Sequence, residues 1–290
     1  RIQGAPPPRP GRWRALDAVR SNMTEAEYAG AFARVRSYIR EGDCYQVNLA
    51  QRFDVAVRGD PWAGYRRLRR LSPAPYGAYL NHPDAQVLSV SPEAFLQVRE
   101  RHVETRPIKG TRPRASDPEV DAALREELRH SAKDRAENLM IVDLLRNDIG
   151  KSCRPGSVRV PALFAAESHP TVHHLVSTVT GELSDGTDVL TLLRGCFPGG
   201  SITGAPKLRA MGIIEELEPH RRGVYCGAIG YIGFDGAMQT NIAIRTLVHR
   251  AGRAWFWAGG GIVHDSDCEA EYRETFDKAA AMFRLFDGPH

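Results

Sequence analysis

The chain is 290 residues long, 42% hydrophobic and 26% charged, with a formal net charge of +4. That length and apolar content supply a large core, as one big α/β domain or two smaller ones. The modest charge, with no aromatic interleaving, argues against a nucleic-acid binder, and no apolar run approaches membrane-spanning length.

Five cysteines (Cys44, Cys153, Cys196, Cys226, Cys268) are scattered and never form a Cys-x-x-Cys arrangement. They speak against a disulfide framework or a zinc site and for a reducing cytoplasm. The chain opens on Arg1 with no charged-then-apolar leader, which reads as a soluble piece of a longer product.

Residues 1–23 are rich in proline and arginine and are expected to form an irregular lead-in to a domain over 24–290. Thr24 followed by Glu27 is a capping box that opens a helix to about Arg40. Residues 44–57 alternate as a strand, with Tyr45, Val47 and Leu49 on one face and Gln46 and Asn48 on the other. A helix near 61–71 carries Arg66, Arg67, Arg69 and Arg70 as a solvated face. Short strands near 76–81 and 86–90 follow, then a β-hairpin over 93–109 that turns at Glu100-Arg101-His102.

Two helices are expected at about 117–129 and, capped by Ser131, at 132–147. Strands near 157–167 and 172–182 lead to a helix at 186–195. The glycine-rich run from Pro198 to Lys207 opens a helix through Leu217. Strands at 224–234, 238–248 and 253–258, then Gly259-Gly260-Gly261 and a helix over 267–285, complete the chain. Strands and helices come in mixed blocks without strict alternation. That pattern predicts an α+β sandwich of large antiparallel sheets with external helices, not a dinucleotide fold.

Several constellations could carry chemistry. In Arg106-Pro107-Ile108-Lys109-Gly110-Thr111, proline fixes a torsion before the lysine and glycine permits a sharp turn after it. A lysine framed in this way is either an ordinary loop residue or a reagent. A turn centred on Arg101 sets Glu93 opposite Lys109, with Cβ atoms ~5 Å apart. That is a cross-strand ion pair, or an acid and an amine serving one substrate. Arg106, Arg112 and Arg114 surround the lysine and point to an anionic ligand.

Asp134 and Glu137 share one helix face, as do Glu271 and Glu274. Each pair is either a wet surface or half of a Mg²⁺ site, since that ion takes about six oxygens and few direct carboxylates. Leu139, Met140, Ile141, Leu144 and Leu145 mark a buried stripe beside Glu137. The 198–207 run lacks the Gly-Lys-Ser/Thr ending of a nucleotide loop, although glycines before a helix still offer backbone N–H groups to a carboxylate. Gly259–Gly261 could do the same or permit a tight turn. Arg245, amid Ile242-Ala243-Ile244, requires an anionic partner from protein or ligand. His173 and His174 point to opposite strand faces, which disfavours a shared metal.

Together these segments resemble the chorismate-utilising enzymes, in particular the aminodeoxychorismate synthase component I branch, over about residues 24–284. The resemblance rests on Gly42-Asp43-Cys44-Tyr45-Gln46-Val47-Asn48, Ser91-Pro92-Glu93 and Pro107-Ile108-Lys109-Gly110-Thr111. It extends through Asp134-Arg135-Ala136-Glu137-Asn138 with Asp143 and Arg146-Asn147-Asp148, and through His174-Leu175-Val176-Ser177. Gly200-Ser201-Ile202-Thr203-Gly204-Ala205-Pro206-Lys207 and Glu271-Tyr272-Arg273-Glu274-Thr275 complete it.

The resemblance implies an anthranilate-synthase-like sandwich of two large, mostly antiparallel sheets. It also implies a Mg²⁺-dependent enzyme that replaces the 4-hydroxyl of chorismate by ammonia, on the route to p-aminobenzoate and folate. Ammonia would come from a glutamine amidotransferase partner subunit. Glu93 would protonate the leaving hydroxyl and Lys109 would be the covalent nucleophile. Glu137 and Glu274 would bind Mg²⁺, supported by Asp134 and Glu271. Thr111, His174, Thr203, Gly204, Tyr225, Arg245, Gly260, Gly261 and Lys278 would bind substrate.

Lysine at 109 separates this pattern from anthranilate synthases, which carry alanine there, and Gln46 stands where isochorismate and salicylate synthases use a lysine base. Two alternatives stay open: 2-amination with pyruvate release, and a truncated, non-catalytic chorismate-binding module. Complete members of the family carry about 100–150 further residues ahead of this region, a domain's worth of chain.

Overall fold

Every strand pairing in the computed structural model is antiparallel; it describes residues 11–170 and 172–286. In chain order the first half forms β1 (Trp13–Ala15), β2 (Arg20–Ser21), α1 (Glu25–Arg40), β3 (Gln46–Gly59), α2 (Pro61–Leu71), β4 (Tyr76–His82), β5 (Ala85–Ser91), β6 (Ala94–Arg99), β7 (His102–Thr105) and β8 (Ile108–Pro113). Next come α3 (Pro118–His130), α4 (Ala132–Gly150), β9 (Arg159–Ser168), β10 (Val172–Glu182), α5 (Val189–Cys196) and a 3₁₀ turn at Gly200–Ile202. The chain continues through β11 (Gly204–Ala205), α6 (Lys207–Leu217), β12 (Gly230–Ile232), β13 (Met238–Asn241), β14 (Thr246–Arg250), β15 (Arg253–Ile262) and α7 (Cys268–Phe286). No helix among the described residues is long and apolar enough to cross a membrane.

The strands make two sheets. One has the order β1-β3-β15-β14-β5-β4, with β2 and β11 also paired to β3; the other runs β12-β13-β6-β7-β10-β8, with β9 also on β10. This is the expected α+β sandwich of antiparallel sheets. Its spine is the ladder from Arg253↔Ala56 to Ile262↔Val47. On one side of that spine Phe53 stacks on Phe256 at 5.3 Å, and α7 adds Phe276, Phe283 and Phe286. One apolar cluster gathers Ala50 and Trp257 from the first sheet, Phe95, Leu96 and Val179 from the second, and Val142 and Ile149 from α4.

Local signals place the helices well. The Thr24 hydroxyl accepts from the Glu27 backbone N–H at 3.2 Å, and the Glu27 carboxylate accepts from the Thr24 N–H at 2.7 Å, so the capping box is complete. Ser131 caps α4 by accepting from the Asp134 N–H at 3.3 Å. Along α4 the expected apolar stripe is buried at Ile141 and Leu145, whereas Leu139 is exposed. Arg66, Arg69 and Arg70 of α2 are solvated as expected.

Four expectations need correction. Residues 1–10 of the lead-in lie outside the described residues, but Trp13–Ala15 and Arg20–Ser21 are not irregular: both pair with β3, because edge backbone groups beside the spine find partners there. Tyr45 is exposed, ahead of β3, and Gln46 and Asn48 are as buried as Val47 and Leu49, since both faces of this strand are covered. The strand expected over 224–234 shortens to Gly230–Ile232. The one expected over 238–248 breaks in two, β13 serving one sheet and β14 the other.

A buried ion pair ties α4 to the glycine-rich run. Asp148, 1% exposed, accepts from Lys207 Nζ at 2.5 Å and from Lys151 Nζ at 3.1 Å, and Lys207 also donates to the Cys196 carbonyl at 2.7 Å. Asp148→Ala would leave the Lys207 ammonium buried without a counter-charge. A stability loss of about 3–5 kcal/mol is expected from denaturant unfolding, and an unchanged midpoint would show the pair to be dispensable.

Candidate active site

The site forms beside two of the points where the chain changes sheets. Between β5 and β6 it passes through Pro92 and Glu93; between β13 and β14 it passes through 242–245. These crossovers are stitched side by side. Ser91 Oγ donates to the Ile242 carbonyl at 2.6 Å, the Ile242 N–H to the Glu93 carbonyl at 3.0 Å, and the Val90 N–H to the Arg245 carbonyl at 3.1 Å. Two crossing points thus set Glu93 and Arg245 on the wall of one cavity of about 530 Å³.

Glu93 is 8% exposed, and its Oε1 accepts from Ser201 Oγ at 2.9 Å. Burial pushes its carboxyl pKa up, against the Ser201 hydrogen bond and the cations Lys109, Lys278 and Arg245. Arg245 is not on a strand as expected: it occupies the corner itself, with φ 47°. Among the described residues no protein carboxylate pairs with its guanidinium, and burial lowers its pKa against the pull of Glu93. Such a cation suits an anionic ligand.

Lys109 lines the same cavity, by a different route from the one expected. The β6–β7 hairpin pairs Arg99↔His102 through Gln97↔Glu104, one residue off a turn centred on Arg101, and its ladder stops there. The chain then breaks at Arg106-Pro107 and resumes as β8 along β10, with Ile108 beside Val176 and Thr111 beside His174. Glu93 and Lys109 therefore meet through the cavity and not as cross-strand partners. Gly110, at φ 81°, is needed for that approach, because a Cβ there would lie 2.8 Å from both Asp134 Cγ and Leu128 Cδ1. Burial lowers the Lys109 ammonium pKa and nearby Lys278 assists, while Glu137, Glu93 and Glu274 oppose.

The arginines around Lys109 are spoken for. Arg106 pairs with Glu167, Arg112 with Glu127 and Asp134, and Arg114 with Asp121. The cations lining the cavity are Lys109, Arg112, Lys133, Arg245 and Lys278, whose Nζ sits 2.5 Å from Glu274 Oε1 and donates to the Gly259 carbonyl at 3.0 Å.

Both acidic helix pairs reach this cavity: Asp134 and Glu137 from α4, Glu271 and Glu274 from α7. Their side chains are not gathered into a ready cage; among the described residues no three acidic, histidine or cysteine side chains are grouped to hold a metal ion. Asp134 is bonded to Arg112 at 3.3 Å. Glu271, 5% exposed, accepts from Ser266 Oγ at 2.7 Å through Oε1, while its buried Oε2 has no partner. Burial raises the pKa of Glu137 and of Glu271, and neighbouring acids add to the rise. Crowded carboxylates, one with an orphaned buried oxygen, fit a hard divalent cation such as Mg²⁺.

Gly259–Gly261, open from sequence between a carboxylate-holding loop and a tight turn, is the end of β15. A Cβ on Gly260 would lie 2.7 Å from Glu271 Oε2, and one on Gly261 would lie 2.8 Å from Gln46 Nε2. The glycines are there to let side chains pack against the strand. Gly261 lines the cavity and Gly260 lies beneath the α7 acids.

Thr111 and His174 stand side by side on the cavity wall, Oγ1 to Nδ1 at 3.0 Å. Burial, with His169 and Arg245, pulls His174 down to about 4, so its ring is neutral near pH 7. His173 faces the other way, 1% exposed, bonded to Asp121 and Ser168, and is structural. Tyr225 lines the cavity, its ring parallel to that of Trp257 at 6.1 Å. Thr203 and Gly204 do not reach the cavity. The Thr203 hydroxyl donates to the Gly199 carbonyl at 2.8 Å, and Gly204 pairs with Val47. Residues not singled out from sequence also line it, chiefly Asn48, Ser201 and Trp257. Asn48 and Ser201 lay inside recognisable motifs; Trp257 carried only the signal of a strand aromatic.

The chain matches the sequence profile described as chorismate binding enzyme over residues 3–284. It is 55% identical to aminodeoxychorismate synthase component 1 of Salmonella typhimurium across 92% of its own length and 59% of that protein. It is 47% identical to anthranilate synthase component 1 of Aquifex aeolicus across 92% of its length and 54% of that protein. The crystal structure of anthranilate synthase component I from Streptococcus pneumoniae superposes with a TM-score of 0.85 at 39% identity, covering 93% of this chain and 61% of that one. The chain therefore spans less than two thirds of the length of each of these three relatives.

Proposed function

The chain belongs to the chorismate binding enzyme family, and from that premise we propose that it replaces the 4-hydroxyl of chorismate by ammonia, giving 4-amino-4-deoxychorismate. The observation that carries this reading is the pairing, on one cavity, of Lys109 with an ammonium pKa pushed down and Glu93 with a carboxyl pKa pushed up. Neutral lysine is a nucleophile and a protonated carboxyl is an acid, so each group is shifted toward its working form.

The Lys109 amine adds at C2 of the ring, the two ring double bonds shift, and the C4–O bond breaks as Glu93 delivers its proton and water departs. Ammonia then adds at C4, the double bonds shift back, and the lysine leaves from C2. Arg245 holds substrate carboxylate, while Thr111, neutral His174, Tyr225 and Trp257 shape the ring site. Glu137 and Glu274 would hold Mg²⁺, as the resemblance implies; the unpartnered Oε2 of Glu271 moves that residue from a supporting place to a ligand, with Asp134 supporting. The ion would neutralise the ring carboxylate when bound. Ammonia would come from a glutamine amidotransferase partner, in keeping with the component 1 naming of the relatives.

The test is chorismate turnover by the chain with Mg²⁺ and high ammonium salt, with products identified by mass. The 4-amino product is expected. Anthranilate with pyruvate would replace this reading with 2-amination; anthranilate is the product in the name of the Aquifex relative. Tight chorismate binding without turnover would make the chain a binding module.

Glu271→Gln tests the metal assignment. The half-saturating Mg²⁺ concentration should rise by about 10–100-fold, both in turnover and in the Mg²⁺-dependent shift of the thermal midpoint. An unchanged Mg²⁺ dependence in both measurements would remove Glu271 from the ligand set.

A further inference from the structure

Behind the candidate active site lies a second cavity of about 410 Å³, and Ile202 and Tyr225 face both spaces. Arg222 stands on the far side of this partition, its side chain only 12% exposed. It lines the second cavity and not the first. Its guanidinium grips Glu218 through two bonds, Nη2 to Oε1 at 2.6 Å and Nε to Oε2 at 2.9 Å.

The other donors of the fork go to the backbone of the active-site wall. Nη2 donates to the Asn48 carbonyl at 2.6 Å and Nη1 to the Ile202 carbonyl at 2.8 Å. The guanidinium carbon sits 5.6 Å from the centre of the Tyr225 ring, and the Tyr225 N–H donates to the Arg222 carbonyl at 3.0 Å. Glu218 Oε1 also accepts from the Ala50 N–H at 2.9 Å, so the pair fixes β3 at two points.

One buried ion pair thus joins three cavity-lining residues that the sequence holds far apart: Asn48, Ile202 and Tyr225. Resting on the chorismate reading above, we propose that Arg222, clamped by Glu218, is a positioning residue that holds Asn48, Ile202 and Tyr225 in register for substrate. The role requires arginine. Its planar fork reaches Glu218 and two carbonyls at once, whereas a lysine offers three donors from a single point.

The test compares Arg222→Lys with the unmodified chain in the ammonium-dependent assay. Loss of wall register weakens ground-state binding, so KM for chorismate should rise by about tenfold or more while kcat stays within about threefold. Both proteins should show a native near-ultraviolet circular dichroism spectrum. An unchanged KM, or a fall in kcat with KM constant, overturns the proposal.

Should Arg222→Lys fail to fold, Glu218→Gln carries the test. It keeps an acceptor for the Ala50 N–H and removes the charge that orients the guanidinium, and the same direction of KM shift is expected. Should the unmodified chain make no product, the functional reading fails separately. Chorismate affinity measured by calorimetry then decides the positioning role, a tenfold weaker Kd supporting it and an equal Kd refuting it.

Discussion

Lys109→Ala is expected to cut formation of the 4-amino product by on the order of 10³-fold or more, the scale on which a covalent mechanism fails when its nucleophile is removed. The loss should fall on kcat, with chorismate affinity changed far less, because Arg245 and the cavity wall remain. Structure is expected to survive. Removing a buried amine relieves a desolvation cost, and the strand that carries it is held by its ladder to β10 and by Gly110 nested against α3 and α4. With the 4-amination route blocked and the rest of the cavity intact, traces of an anthranilate-type product are the expected by-product. Undiminished 4-amino product would refute the covalent role.

Glu93→Gln should lower kcat by about 10²–10⁴-fold, the range of a positioned general acid. A glutamine oxygen can still accept from Ser201 Oγ, so the variant removes the proton and keeps the geometry. The pH profile gives the sharper signature. In the proposed mechanism Glu93 works in its protonated form, and its pKa is raised by burial, so kcat/KM should fall as pH climbs through that raised value. In the same mechanism Lys109 works as the neutral amine with its pKa lowered, so the rising limb should lie below the ordinary lysine range. The Gln variant should lose the falling limb and keep the rising one. A falling limb that persists unchanged in the variant assigns the acid elsewhere.

Much of this arrangement was legible from local chemistry. The Thr24–Glu27 box and the Ser131 cap depend on atoms three residues apart, and helix starts followed from them. The three-residue spacing of Asp134 and Glu137, and of Glu271 and Glu274, put each pair on one helix face. Lys109 between Pro107 and Gly110 was recognisable as a constrained lysine. Each of these readings rests on backbone geometry that repeats within one turn or one strand.

The misreadings share a different origin. Residues 238–248 have strand composition throughout, yet the chain turns a corner at Arg245, because Asn241 and Thr246 pair with strands of different sheets. The glycines at 259–261 resemble a turn and are a strand, since their missing side chains make room for Glu271 and Gln46. Arg106, Arg112 and Arg114 looked like ligand-binding cations and are paired with carboxylates of β9, α3 and α4.

Contiguous motifs thus carried the resemblance to the family and singled out the side chains proposed to react, while the mixed order of helices and strands carried the α+β sandwich. Which charges are neutralised, which side chains share the cavity and what holds its wall were set by packing. Arg222 and Asn48 are 174 residues apart in the chain and in hydrogen-bond contact in the fold. A hydrogen bond or ion pair acts over a few ångströms, and that proximity arises only when register and sheet crossing bring distant segments together.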